Sequence, residues 1–476
     1  MDDRLPPLVK RLRDHAVLAA ACAATAVTVL YAVLYVKVSS VDAVSDVCNS
    51  TDCPRGLGRL LLFTLASGLV AAVLWVVARR GRPRRSAAVR TVAVAVALAA
   101  LWPAWNGFSW MRGPHMELFG YQAPEGSGAG KPLGSWAGER HSEQVVRIRE
   151  DGLTAYDGGG RRSWGRGAPE GTTVCGMSAD TPSGTGVLAY ATAAPGGGPC
   201  GIRLAAVDLT NGEELWSKDV RDPVGTATGT VTAGGSLAVS ATARAAVLAH
   251  DLRGGAERWR APLTKPGAAV QDIAAGPDRV LVTVRSDEGR ELLALDAGTG
   301  AVTWRAALPA GPDRPRIVSA GPVAVVVDER LLLFDDAGRP RGADGAEPPY
   351  VAAEGGQRRV VGDVLVMAVP EREKREVLEA FSLVDGRLLW RRAFDDDWLV
   401  RALGVGRSGR LAVVTQGAFT HLWHLDPRTG APSGESTVLR DLPMGESIAV
   451  YGRTFVNLDP GGRLPPIFDV APTFGW

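Results

Sequence analysis

Residues equipped for chemistry are few and scattered in this sequence. The five cysteines are Cys22, Cys48, Cys53, Cys175 and Cys200. "CNSTDC" gives Cys48 and Cys53 a Cys-x4-Cys spacing, which is not the usual redox spacing. No His or second Cys pair stands nearby to complete a metal site. The six histidines are His15, His115, His141, His250, His421 and His424. His421 and His424 flank Trp423 in "THLWHL", and on a strand positions i and i+3 face opposite ways, which argues against a shared metal. "GSGAGK" at 126–131 has the glycines of a phosphate loop but lacks the Ser/Thr after Lys and the strand-to-helix setting. No catalytic residue and no metal site is expected from these groups.

The aspartates are more regular. "LALDAGTGAVTW" spaces Asp296, Gly300 and Trp304 four residues apart, and "VDLTNGEELW" repeats this with Asp208, Gly212 and Trp216. "HDLRGGAERW" repeats it again with Asp251, Gly255 and Trp259, and a further copy keeps Gly386 and Trp390. A recurring D-x3-G-x3-W is first an architectural signal. Asp accepts backbone N–H groups across its own turn, and Gly supplies the positive φ that closes it. Trp offers a large apolar face and one N–H, which suits a wedge between neighbouring units.

The elements around these turns are short strands. "GVLAYATA", "SLAVSATA", "RVLVTVRS", "PVAVVVDE", "DVLVMAVP" and "RLAVVTQG" are apolar β-formers bounded by Gly, Asp and Asn, with no 3.6-residue pattern. Trp164, Trp216, Trp259, Trp304 and Trp390 are separated by 52, 43, 45 and 86 residues, and "LLLFDDAGRPRG" fills the last gap as a degraded copy. A period near 45 residues with about four strands per unit predicts an all-β propeller over 145–476, of about eight blades with seven as the alternative.

At these residues the sequence resembles the pyrroloquinoline-quinone-like (PQQ-like) β-propeller family, whose repeat is a strand followed by A-x-D-x-x-T-G-x-x-x-W; "ALDAGTGAVTW" is close to it. The resemblance implies a fold more strongly than a function. Members include quinoprotein dehydrogenases, a scaffold lipoprotein of outer-membrane assembly, and sensor portions of bacterial membrane proteins. The dehydrogenase branch implies PQQ and Ca²⁺ on the propeller axis, a catalytic Asp and often a vicinal disulfide. This sequence has no adjacent Cys pair, and Asp157, Asp208, Asp251, Asp296 and Asp426 already have turn roles. A binding, scaffold or sensor module without a cofactor is expected. A quinone- and calcium-dependent dehydrogenase is the alternative.

The first 110 residues differ. Three apolar runs, 16–36, 60–78 and 91–108, are long enough to cross a hydrocarbon core about 30 Å thick. Residues 1–105 hold thirteen Lys/Arg against six Asp/Glu, whereas the remainder is mildly acidic, within a net charge of +2. An acidic body argues against nucleic acid as a partner. Arg4, Lys10, Arg11 and Arg13, and later Arg79, Arg80, Arg82, Arg84, Arg85 and Arg90, belong on the cytoplasmic side. Three spans then place the propeller outside a plasma membrane, after a flexible linker at 111–144. There Cys48 with Cys53, and Cys175 with Cys200, are expected as disulfides. The expected partners are the bilayer itself and an extracytoplasmic or membrane protein.

Overall fold

The computed structural model describes residues 7–39, 57–81, 87–112, 115–120 and 130–472, apart from the short segments 138–143, 158–160, 194–197, 221–230, 243–245, 342–356, 373–374, 395–396, 407–408, 418–419, 435, 440–441, 443–446, 452–453 and 459–466. Three helices come first, α1 (Pro7–Ser39), α2 (Leu57–Gly81) and α3 (Ala87–Arg112). Each contains a stretch long and apolar enough to cross a membrane, at Leu12–Lys37, Leu57–Arg80 and Ala87–Phe108. α1 packs against both α2 and α3. With lipid as apolar as leucine, polar groups and small residues hold such a bundle together. Thr28 Oγ1 donates to Ser67 Oγ at 3.1 Å, and Trp75 Nε1 donates to Thr25 Oγ1 at 3.0 Å. Leu62, Leu65, Leu69 and Leu98 point outward.

Beyond α3 the described residues form thirty-two strands in seven sheets, six of four strands and one of eight. The eight-stranded sheet divides into two four-stranded halves. One runs through Asp397–Val405, Leu411–Gly417, Thr420–Leu425 and Thr437–Leu439; the other joins Ile448–Tyr451, Thr454–Asn457 and Ile467–Pro472 to His115–Gly120. Among the described residues only two parallel pairs, His115 with Val438 and Met116 with Leu439, join the halves as one sheet. The ring therefore has eight innermost strands among the described residues. It closes where Ile448–Tyr451 meets Pro132–Ala137, with Tyr451 Oη 2.9 Å from Ser135 Oγ.

Packing explains why so many strands are apolar on both faces. "RVLVTVRS" and "DVLVMAVP" are second strands of their blades, covered on either side by a neighbouring blade. One such core joins Val239, Val247 and Trp259 to Ile273, Val282 and Leu293 of the next blade.

The span 111–144 differs from the linker expected of it. His115–Gly120 is the outermost strand of the last blade, pairing antiparallel with Ile467–Pro472, and Pro132–Ala137 is the innermost strand of the first. Local sequence hid both. The first strand finds its partner some 350 residues away, and the second is broken up by Pro132 and Gly134. The propeller thus begins at His115, not at residue 145. In this pairing Met116 lies opposite Pro472, at the end of the third strand, which in other blades is where the Asp turn begins. α3 ends at Arg112, so the chain reaches that end of the propeller across at most about 11 Å.

Candidate functional site

The repeated turns come first, because they set the geometry of everything inside the ring. Asp296 Oδ1 accepts the N–H groups of Gly298 (3.1 Å) and Thr299 (2.8 Å) and the Thr299 hydroxyl (2.7 Å). Asp208 accepts from Thr210 N at 2.8 Å, Asp251 from Gly254 N at 2.7 Å, and Asp426 from Arg428 N and Thr429 N at 2.9 Å. These donors hold the Asp296 and Asp426 carboxyls below the usual range, the threonine hydroxyl acting first, while at Asp251 the Arg258 guanidinium acts first. Ser382 takes the Asp place in the sixth blade, where Gly386 N donates to its carbonyl at 2.8 Å. Asp335 and Gly338 complete the degraded fifth copy.

The Gly of each turn serves the preceding blade as well as its own. Gly300 has φ +72°, and a Cβ on it would lie 2.6 Å from the ring of Trp259. Gly255 meets Trp216 in the same way, Gly338 meets Trp304 and Gly430 meets Trp390. The indole N–H is also used: Trp216 donates to Leu252 O at 2.8 Å, Trp259 to Ala297 O at 2.8 Å and Trp390 to Pro427 O at 2.9 Å. Gly386 instead approaches Leu333, since the fifth blade supplies no Trp. Gly212 receives Trp164, whose indole nitrogen is buried without a partner. Sequence reasoning missed Trp136, which is 2% exposed, donates to Ser178 O at 2.7 Å and packs on Gly186. It belongs to no copy of the motif, which left no signal beyond the aromatic itself.

Inside the ring, charge is one-sided. The innermost strands of blades eight, one, two and three read IAVY, PLGSWA, TTVCGM and VTAG and carry no ionisable acid or base apart from tyrosine and the bridged Cys175. Those of blades four to seven carry Asp272, Arg316, Arg358, Arg359, Asp397 and Arg401. Asp272 and Arg358 each stand three residues before the end of their strand, at Ala275 and Val361, and Arg316 four before Ala320, so they share one depth in the channel. Asp272 Oδ2 accepts Ile317 N at 2.7 Å, stitching two blades, and its Oδ1 accepts Ile273 N at 2.9 Å. Burial raises the Asp272 pKa above the carboxylate range against those hydrogen bonds. Burial and then the Arg316 charge push Arg358 down, and Asp272 pulls it back. Burial also raises the Tyr451 phenol, which feels the Arg359 charge from two blades away.

Cys175, on the second blade's innermost strand, is bonded to Cys200, with 5.7 Å between their Cα atoms. Cys48 and Cys53 lie outside the described residues. His421 is buried beside Trp423, and His250 beside Trp216; burial pushes His250 and His424 down.

Calcium would need six to eight converging oxygens. Among the described residues no group of three His, Cys, Asp or Glu is placed to hold a metal. On the charged wall Asp272 has both oxygens engaged by backbone N–H groups and its neighbours are arginines, so this donor set does not suit Ca²⁺.

The family model described as outer membrane protein assembly factor BamB matches residues 201–347 and, in an overlapping register, 243–397. The two matches begin 42 residues apart, one repeat of the chain. The strand-bearing region is a PQQ-like β-propeller. No curated protein matches the chain significantly. Solved structures similar to the PQQ-like propeller include BamB from Moraxella catarrhalis, at 16% identity over 75% of this chain and 100% of that one, with a TM-score of 0.44. The computationally designed Ika8 protein gives 12% identity, 62% and 83% coverage and a TM-score of 0.43. The C-terminal WD40 domain of Sif2 gives 11%, 72% and 96%, and 0.48.

Proposed function

We propose that this chain is a membrane-tethered binding propeller, a scaffold or sensor module that works without catalysis and faces a partner outside the cytoplasm. The observation that carries this reading is the junction at Arg112 and His115, where a helix apolar enough to span a membrane passes within two residues into the closing strand of a PQQ-like propeller. An anchor so short makes the propeller a fixture of the membrane surface rather than a soluble domain on a leash. The basic segments around Arg11 and Arg82, together with three candidate spans among the described residues, support an exterior propeller. The Cys175–Cys200 bond supports an oxidising compartment. The assembly factor named by the family model supports a scaffold role with a protein partner. The quinoprotein alternative lacks support from the channel, where Asp272 has both oxygens engaged by backbone N–H groups and stands beside Arg316 and Arg358. A reporter that fluoresces only in the cytoplasm, fused after Trp476, is expected to stay dark. A bright fusion overturns the exterior location.

A further inference from the structure

We propose that the arginine-bearing wall of the propeller channel is a binding site for a carboxylate. The inference rests on the reading of the propeller as a binding module and adds the chemistry of what it holds. Arg316 and Arg358 occupy successive innermost strands at nearly the depth of Asp272 on the strand before them. Among the described residues neither guanidinium has a hydrogen bond or an ion pair, and Asp272 spends its two oxygens on Ile273 N and Ile317 N. Two cations therefore share the field of one engaged carboxylate. The facing strands Ile448–Tyr451, Pro132–Ala137, Thr172–Met177 and Val231–Gly234 have no acid to send across. A half-buried guanidinium that makes no hydrogen bond and shares one already engaged carboxylate is left short of partners. A planar carboxylate answers both problems, because it matches the guanidinium fork with two parallel hydrogen bonds.

The carboxylate can belong to a free polycarboxylate or to an acidic side chain of a protein partner, and two probes separate these sources. The full-length chain in detergent micelles is titrated calorimetrically with citrate and with a hexaglutamate peptide, using sulfate at matched ionic strength as the control for bulk charge. Citrate binding alone identifies a small carboxylate ligand, and hexaglutamate binding alone an acidic segment of a partner. In either case Arg316→Gln is expected to weaken binding by about tenfold or more, the loss of a charge-assisted pair. Arg260→Gln, on an exposed outermost strand, should leave it unchanged. Arg358→Gln should behave like Arg316→Gln, and because Arg316 is exposed its variant keeps the test alive if the Arg358 variant does not fold. Binding of neither probe, equal binding by Arg316→Gln, or an equal response to sulfate overturns the proposal. A dark reporter with no carboxylate binding would sink this inference and leave the tethered module standing.

Discussion

At the scale of single residues, the D-x3-G-x3-W repeat turns out to couple three blades through two kinds of contact. Within one copy, Asp296 shapes the turn and Gly300 closes it; between copies, Gly300 makes room for Trp259 of the preceding blade, while Trp304 moves on to Gly338 of the next. Trp259→Ala is expected to cost about 3–5 kcal/mol in the melting of the propeller, the range for deleting a buried aromatic. Gly300→Ala should also destabilise, for two separable reasons. Its φ of +72° is strained for any side chain, and a Cβ would press on the Trp259 ring at 2.6 Å. In a Trp259→Ala background the second reason vanishes and only the backbone strain remains, roughly 1–2 kcal/mol. A double-mutant cycle followed by denaturant unfolding measures this directly, and additive costs would mean that the two residues do not touch. The roles of Asp, Gly and Trp as turn and wedge were readable from spacing alone. That Gly accommodates the previous blade's indole was not, because a repeat shows which residues recur but not which copies meet. The charged wall was equally hidden: Asp272, Arg316 and Arg358 share no motif and come together only through strand depth.

At the scale of elements, the period of about 45 residues revealed the blades because every blade must bury both faces, and the strands that do so are visibly apolar. The closing strand escaped for the opposite reason. His115–Gly120 has no partner nearby in sequence, so no local pattern marks it as the edge of anything. The Cys175–Cys200 bond lies between these extremes, since a hairpin around "GVLAYATA" already brings its ends together. It ties the innermost strand of the second blade to the turn preceding that blade's third strand. On the chain-entropy account, closing a loop of 25 residues stabilises the fold by roughly 3 kcal/mol. Cys175→Ala with Cys200→Ala should lower unfolding stability by about that amount while leaving far-ultraviolet circular dichroism unchanged. An unchanged denaturation midpoint in the double variant would show that the bridge adds nothing to the fold.

At the scale of the whole molecule, the membrane region and the propeller are joined by a strand that also completes the ring. His115–Gly120 pairs with Ile467–Pro472 along its length and touches Thr437–Leu439 at its start, so it covers the outer edge of the last blade and seals it to the seventh. Removing it would leave the edges of Ile467–Pro472 and Thr437–Leu439 unpaired, the arrangement that invites aggregation. The same strand enters from the end where the Asp turns lie, which sets that end toward α3 and leaves the opposite end of the channel facing away from it. A fragment beginning at Gly113 is therefore expected to melt cooperatively as a closed propeller. One beginning at Tyr121 should melt roughly 5–10 °C lower, a few kcal/mol for a domain of this size, and should aggregate on heating. A synthetic His115–Gly120 peptide added to the shorter fragment should recover part of that loss, because the missing contacts are mainly strand pairing. Equal melting temperatures for the two fragments would mean that the strand decorates the ring without closing it, and the short tether would then carry no structural role in the propeller.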